Sequence, residues 1–209
     1  MAPIRLGDIA PNFVVPTTHG VIDFHEWIGD SWAFFFSHPA DFTPVCTTEI
    51  AAVARLYPDF AQRNCKVIGI STDVLEDHEA WLEDIMQIHQ VKVQFPIIAD
   101  PDRRVSLLYD MLDDLDPNSF TENISQNQYN LRTIFVIDPQ KKIRMSLTYP
   151  TSCGRNFDEV IRVVDVLQLR DRLVAQKLAA QQQNRASQDI AQKPATSQPE
   201  QLNSPPLQQ

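Results

Sequence analysis

The chain has 209 residues, a formal net charge of −9 and an isoelectric point near 4.9. This acidic balance argues against binding to nucleic acid or to an anionic membrane surface, and no apolar stretch approaches the length of a membrane span. Three cysteines are too few for a secreted disulfide framework, so the sequence predicts a reducing, cytoplasmic environment.

Segments with strand and helix character alternate between residues 4 and 175. Short strands are predicted at 11–16 and 21–24, buried strands at 32–36, 66–70 and 95–99, and a hairpin at 133–137 and 143–148. Helices are predicted from Cys46 onwards and over 76–90, 104–111 and 157–173, with Pro58 expected to kink or end the first of them. This order indicates one α/β domain whose sheet is covered by helices on both faces.

The composition changes after Ala175. From residue 180 onwards Gln, Ser, Asn, Ala and Pro dominate, and there is no aromatic residue. Such a segment buries too little apolar surface to offset its ordering entropy. We therefore predict a domain over 4–175 and a disordered tail over 180–209. The tail could bind a partner, but we favour an inert, solvated extension.

The most informative stretch is PADFTPVCTTE, from Pro39 to Glu49. It joins the apolar run 32–36 to a helix, which places Cys46 in the first helical turn. The free backbone N–H groups and the positive end of the helix dipole there favour a thiolate over a thiol. Thr43 adds a hydroxyl three residues before the sulfur. These residue types at this spacing predict a cysteine nucleophile.

This stretch resembles the active-site signature of the peroxiredoxins, which are thiol-dependent peroxidases, and its flanks are most similar to the 1-Cys branch of that family. Two later blocks support the resemblance: Arg132, which opens the strand up to residue 138, and Tyr149-Pro150 followed by 154–159. The resemblance covers about residues 6–169 and implies a thioredoxin-like fold, a mixed sheet flanked by helices. The short, divergent C-terminus departs from relatives of this branch, which usually carry a folded C-terminal domain that helps to cover the active site and build the dimer.

The resemblance implies an enzyme that reduces hydrogen peroxide and organic hydroperoxides in antioxidant defence and redox homeostasis. Cys46 would become a sulfenic acid, and an external thiol such as glutathione or thioredoxin would restore it. A homodimer is implied, and neither a cofactor nor a metal ion is expected. The scattered histidines lack ligand spacing, namely His19, His25, His78 and His89. The alternative is a redox-sensing interaction protein in which oxidation of Cys46 changes assembly.

Four residues are predicted to act directly around the sulfur. The Thr43 hydroxyl and the backbone N–H of Cys46 could hold the peroxide, and Arg132 could favour the thiolate and donate to the developing oxyanion. By resemblance, Pro39 shields the sulfur from water, and Glu49 orients an arginine as a supporting residue.

The remaining candidates leave alternatives open. His38 could approach the sulfur or only pack in its turn, and Arg155 could support the site or only begin a helix. Cys65 precedes an apolar strand and is expected to be buried and inert. Cys153 could be exposed and is the one plausible partner for a disulfide with Cys46. We nevertheless expect an outside thiol to reduce the oxidised Cys46.

The resemblance also raises a second activity, because some 1-Cys relatives hydrolyse phospholipids at a Gly-x-Ser-x-Gly-like site with a Ser/His/Asp set. Here Ser31 and His25 are present, but Ala33 replaces the closing glycine. Gln140 stands where the acid would be, and Asp138 lies two positions earlier. We therefore favour a turn role for Ser31 over lipase-type catalysis.

Overall fold

The computed structural model describes residues 4–113 and 129–191, with side chains described as far as residue 185. Within these residues the strands are β1 Val14–Thr17, β2 Gly20–Asp23, β3 Trp32–Ser37, β4 Cys65–Ser71, β5 Ile97–Ala99, β6 Arg132–Ile137 and β7 Ile143–Tyr149. The helices are α1 Phe24–Ile28, α2 Pro44–Gln62, α3 Leu75–His89, α4 Arg104–Leu108 and α5 Phe157–Ala191. None of the described helices is both long enough and apolar enough to cross a membrane.

The strands form one seven-stranded sheet in the order β2-β1-β5-β4-β3-β6-β7. β3 pairs in parallel with β4, and β4 with β5, whereas the other pairings are antiparallel. The predicted α/β class and the mixed, thioredoxin-like sheet are therefore confirmed. β3 is fully buried because it lies inside the sheet and is covered on both faces, as its unbroken apolar run indicates.

Alternation along β3 divides the core into two parts. Phe34 and Phe36 point to the face covered by α2 and α3, and Phe35 points to the face that holds Phe24 and Tyr109. This follows from the two-residue period of a strand, in which successive side chains leave opposite faces of the sheet. The reactive segment after β3 thus begins from a rigid, centrally placed strand.

Helix α2 does not end at Pro58, so of the two outcomes predicted for this proline, a kink or an end, the second is wrong. It runs without a break to Gln62, although a proline inside a helix removes a hydrogen bond and costs about 3 kcal/mol. Its buried side chains, which include Ile50, Val53 and Phe60, pack into the core on one face of the sheet. Tertiary packing of this kind outweighs local helix preference.

Helix α5 continues to Ala191, which corrects the predicted start of the tail at residue 180. Residues 174–193 contain no glycine or proline and are rich in good helix formers, and the next proline is Pro194. Among the described residues, those up to Leu167 form one compact unit and those from Gln168 form a second, in which the side chains described beyond residue 171 are exposed. Residues 192–209 lie outside the described residues, and the predicted domain boundary at 175 stays a prediction.

Candidate active site

Cys46 lies in the first turn of α2, as the sequence predicts. Thr43 is the N-cap residue with an extended backbone, and Pro44 is the first helical residue, where its missing N–H costs no helical hydrogen bond. The sulfur-bearing side chain is 0% exposed. Cys46 therefore sits among the unbonded N–H groups at the positive end of a 19-residue helix.

Arg132 reaches the sulfur from the first residue of β6, the strand beside β3. Its Nη1 lies 3.5 Å from the Cys46 Sγ and 2.5 Å from Glu49 Oε2, and its Nε donates to the backbone oxygen of Thr151 at 2.8 Å. Arg132 is only 2% exposed. The guanidinium is therefore fixed in place by two oxygen acceptors while one of its N–H groups faces the sulfur.

Glu49 bridges two arginines rather than the single one predicted. Its carboxylate accepts from Arg132 and also from the backbone N (2.6 Å), Nε (3.1 Å) and Nη2 (2.9 Å) of Arg155. Burial alone would raise the pKa of Glu49, but the hydrogen bonds and charge of Arg155, with help from Arg132, outweigh it and hold this pKa below its usual value. Glu49 is thus a carboxylate that orders both guanidinium groups.

The buried charges around the sulfur do not cancel. Burial lowers the pKa of Arg155, while Glu49 acts in the opposite direction, and an arginine keeps its charge inside a protein. Arg132 and Arg155 supply two positive charges and Glu49 one negative charge, so the cluster carries one excess positive charge in a place with little solvent. A thiolate at Cys46 would neutralise that excess, and an uncompensated buried charge is costly.

The structure places the other predicted residues in the loop of residues 38–43. Pro39 is buried and Thr43 is half-buried. The Thr43 hydroxyl donates to the backbone oxygen of Ala40 at 3.0 Å instead of capping α2. Because its proton is committed, the Thr43 oxygen can accept a hydrogen bond from an incoming group.

The hydrogen-bond partner of His38 is Asp41 and not the Cys46 sulfur that the sequence offered as one possibility. Its Nε2 lies 2.7 Å from Asp41 Oδ1, its ring packs at 5.1 Å from the Trp81 ring, and its Nδ1 has no hydrogen-bond partner among the described residues. The ring is therefore not bonded to the Cys46 sulfur. It belongs to a buried polar network around Asp41.

This network was not predicted from the sequence. Asp41 Oδ2 lies 2.6 Å from His78 Nδ1 on α3, and the Asp41 backbone N donates to Asp73 Oδ2 at 3.0 Å. His38, Asp41 and Asp73 are close enough, within 4.8 Å, to suit a metal ion by residue type. Their polar atoms are largely taken up by hydrogen bonds to one another and to Ser71, so the arrangement fits a hydrogen-bond network better. No signal short of the fold could have brought His78 to Asp41, 37 residues away.

The three cysteines occupy different environments, and all are free thiols. Cys65 is buried as predicted, and burial raises its pKa to about 12, which disfavours the reactive thiolate. Cys153 is exposed, in the loop whose Thr151 oxygen receives the Arg132 hydrogen bond. Within the described part of the chain, Cys46 is the cysteine whose sulfur faces a guanidinium N–H.

The residues considered for lipase-type chemistry are committed to other partners. Ser31 Oγ donates to Asn64 Oδ1 at 2.9 Å, and His25 Nε2 lies 2.7 Å from the Ala10 oxygen. Asp138 accepts from Arg144 and from the Lys142 backbone. These hydrogen bonds do not link a serine to a histidine and an acid.

Comparison with known proteins gives the family of this chain. The model of the AhpC/TSA family matches residues 6–146. The chain belongs to the peroxiredoxins of this family. It is 51% identical over 170 residues to the mitochondrial peroxiredoxin PRX1 of Saccharomyces cerevisiae, a match that covers 81% of this chain and 64% of the yeast protein. The chain thus spans less than two thirds of that relative.

Two solved structures of peroxiredoxins extend the comparison. A cysteine-to-serine mutant of peroxiredoxin 6 of Arenicola marina is 41% identical with a TM-score of 0.74, over 80% of this chain and 75% of the other. The yeast mitochondrial 1-Cys peroxiredoxin is 48% identical with a TM-score of 0.71, over 81% and 78% of the two chains. These matches confirm the predicted family, its 1-Cys branch and the fold.

Proposed function

We propose that this protein is a thiol-dependent peroxidase that reduces hydrogen peroxide and small organic hydroperoxides through Cys46, in antioxidant defence and redox homeostasis. One observation carries the proposal. A fully buried cysteine in the first turn of a helix has the Arg132 Nη1 at 3.5 Å, inside a buried cluster with one excess positive charge. Such surroundings favour a thiolate, the reactive form of cysteine.

In the first step the Cys46 thiolate attacks the terminal oxygen of ROOH. A sulfur–oxygen bond forms, the O–O bond breaks, and the departing alkoxide takes up a proton to leave as an alcohol or as water. The Thr43 oxygen would accept the hydroperoxide proton in a hydrogen bond, because its own proton goes to the Ala40 oxygen. Arg132 would donate to the negative charge that develops as the O–O bond breaks.

In the second step an external thiol reduces the Cys46 sulfenic acid back to the thiol. The thiol forms a mixed disulfide with Cys46 and releases water, and a second thiol then frees Cys46. The yeast structure supports this route, because it describes a thiol resolving mechanism through the glutathione/thioredoxin systems. The burial of Cys65 also argues against that cysteine as an internal donor.

We further propose a cytoplasmic homodimer. Strand β7 lies at an edge of the sheet, and an edge strand presents unpaired backbone groups that a second copy can pair with. Three free thiols suit a reducing compartment. Light scattering of the reduced protein would test the dimer, and a monomer at micromolar concentration would contradict it.

Stopped-flow consumption of peroxide tests the enzymatic proposal. We expect rapid multiple turnover with a thiol donor, loss of turnover in Cys46→Ser, and an unchanged rate in the matched control Cys153→Ser. A donor screen across glutathione and thioredoxin would identify the reductant. Stoichiometric oxidation without turnover for every donor would favour the redox-sensing alternative.

A further inference from the structure

A buried polar network ties the loop of residues 38–43 to helix α3. Asp41 is its centre, because its two carboxylate oxygens meet two fully buried histidines, His38 at 2.7 Å and His78 at 2.6 Å. We call this set, together with Asp73 and Ser71, the Asp41 network. None of these residues except His38 was a candidate from the sequence.

The partners of His78 determine its protonation. Its Nε2 lies 3.1 Å from the Ile98 oxygen, a carbonyl that can only accept, so Nε2 carries a proton. Its Nδ1 faces the Asp41 carboxylate, which accepts a hydrogen bond, so this contact favours a second proton on the ring at Nδ1. Burial would lower the pKa of His78, but the hydrogen bond and charge of Asp41 outweigh it and raise this pKa. Burial would likewise raise the pKa of Asp41, and the two histidines outweigh it and lower that pKa. Both shifts favour an imidazolium–carboxylate pair.

The same network fixes the loop at several points. The Asp41 backbone N donates to Asp73 Oδ2, and the Ser71 hydroxyl donates to the same oxygen at 2.6 Å. The next residue, Phe42, has a left-handed backbone with a φ of 56°, which costs roughly 1–2 kcal/mol for a bulky residue. A loop with such a residue keeps its shape only when its surroundings hold it. Thr43 follows immediately, and Cys46 lies within one helical turn.

We propose that Asp41 and His78 are positioning residues for peroxide reduction: the hydrogen bonds of this buried pair hold the 38–43 loop so that Pro39 and Thr43 stay in place around Cys46. The proposal rests on the proposed peroxidase function. Neither residue touches the sulfur among the described contacts, so both act through the loop. Misplacement of reacting groups by about 1 Å can cost on the order of 100-fold in rate.

The pair makes the loop sensitive to alkaline pH. When His78 loses its Nδ1 proton, a bare nitrogen lone pair faces the Asp41 carboxylate oxygen and the contact becomes repulsive. The native pKa of His78 is raised above 6.5, so this stabilisation is complete below that pH and is lost as the pH rises through the native value. Among the described residues, the charged or titratable groups that face the pair are His38 after β3 and Asp73 after β4, while β5 contributes the Ile98 carbonyl.

Substitutions can separate charge from shape at this site. In Asp41→Asn the amide can accept from His38 and donate to a neutral His78, so the hydrogen bonds survive without the ion pair. Asp41→Ala removes both acceptors. We expect Asp41→Asn to keep most of the wild-type kcat/KM for peroxide near neutral pH, and Asp41→Ala to lose on the order of 100-fold.

The pH profile gives a readout that a merely structural role would not change. We expect the wild-type kcat/KM to fall on the alkaline side, and this fall to disappear in Asp41→Asn and in His78→Asn, which keeps a donor to Asp41 but does not titrate. Identical alkaline limbs in the wild type and Asp41→Asn would overturn the proposal. A wild-type rate in Asp41→Ala would overturn it as well.

Nitrogen NMR of the histidine rings tests the ion pair without any turnover. We expect an imidazolium at His78 at neutral pH in the wild type and a neutral ring with the proton on Nε2 in Asp41→Asn. A neutral His78 in the wild type would refute the pair even if Asp41→Ala failed to fold. A wild type without peroxidase activity would overturn the proposed function instead, and the ring spectra would still decide the ion pair.

Discussion

Replacing Arg132 by glutamine removes the guanidinium that faces the Cys46 sulfur. The change deletes the 3.5 Å contact to Sγ, the bond to Glu49 and the donor to the Thr151 oxygen. Glu49 is not left alone, because Arg155 still binds both carboxylate oxygens. The cluster then has no excess positive charge, and a thiolate at Cys46 would be an uncompensated buried anion.

The expected effect on rate is much larger than that on stability. Thr151 is half-buried, so water can replace the lost hydrogen bond to its backbone oxygen, and we expect Arg132→Gln to lower the free energy of unfolding by only about 1 kcal/mol. Loss of a donor aimed at developing negative charge typically costs ~10²–10³ in rate, about 2.7–4 kcal/mol. We therefore expect kcat/KM for peroxide to fall by on the order of 100-fold or more, with a smaller thiolate fraction at neutral pH.

Arg155→Gln is the matched control, because Arg155 is also buried and bound to Glu49 but its described hydrogen bonds do not reach the sulfur. It makes the same change of charge and keeps Arg132 on Sγ, so we expect a rate loss about tenfold smaller than in Arg132→Gln. Stopped-flow peroxide reduction and the ultraviolet absorbance of the thiolate against pH measure both effects. A wild-type rate and a wild-type thiolate titration in Arg132→Gln would refute the role given to Arg132.

Thr43→Val is nearly isosteric but has no side-chain oxygen to accept a hydrogen bond from a peroxide, so we expect kcat/KM to fall on the order of 100-fold. The control Thr43→Ser should retain most of the wild-type kcat/KM. Equal rates in the two variants would argue against a role for the hydroxyl. After one equivalent of peroxide, mass spectrometry should find oxidised Cys46 without a dominant disulfide to Cys153, and such a disulfide would instead show internal resolution. Because burial raises the pKa of Cys65 to about 12, an alkylating reagent at mildly alkaline pH should modify Cys153 and leave Cys65 intact in the folded protein; early labelling of Cys65 would show that it is not held in the core. Truncation after residue 180 should leave the Tm and the peroxidase rate almost unchanged, because the side chains described from 172 to 185 are exposed, and a clear drop in Tm would reveal packing of the removed segment.

Local chemistry explains what could be read directly from the sequence. The apolar run of β3, the two prolines around Thr43 and the helix-forming residues after Cys46 act over a few positions, so they placed the cysteine at a strand-to-helix junction. Glu49 lies three residues after Cys46, which brings both side chains near one face of the first helical turns. The same reasoning is wrong where it allows the helix to end at Pro58, because core packing along α2 outweighs the local cost of that proline.

The sequence by itself determined the fold class, the family signature and the position of Cys46, since each depends on neighbouring residues and on periods of two or about four. The resemblance to a family predicted Arg132 at the sulfur, but the tertiary structure alone decided how the distant side chains around the sulfur and its loop contact one another. Arg132 and Arg155 converge on Glu49 because β6 pairs with β3 and the chain returns past Thr151, and His78 meets Asp41 because α3 packs beside the loop. Such contacts arise when a chain folds back on itself to bury its apolar faces, and spacing along the sequence carries no record of them.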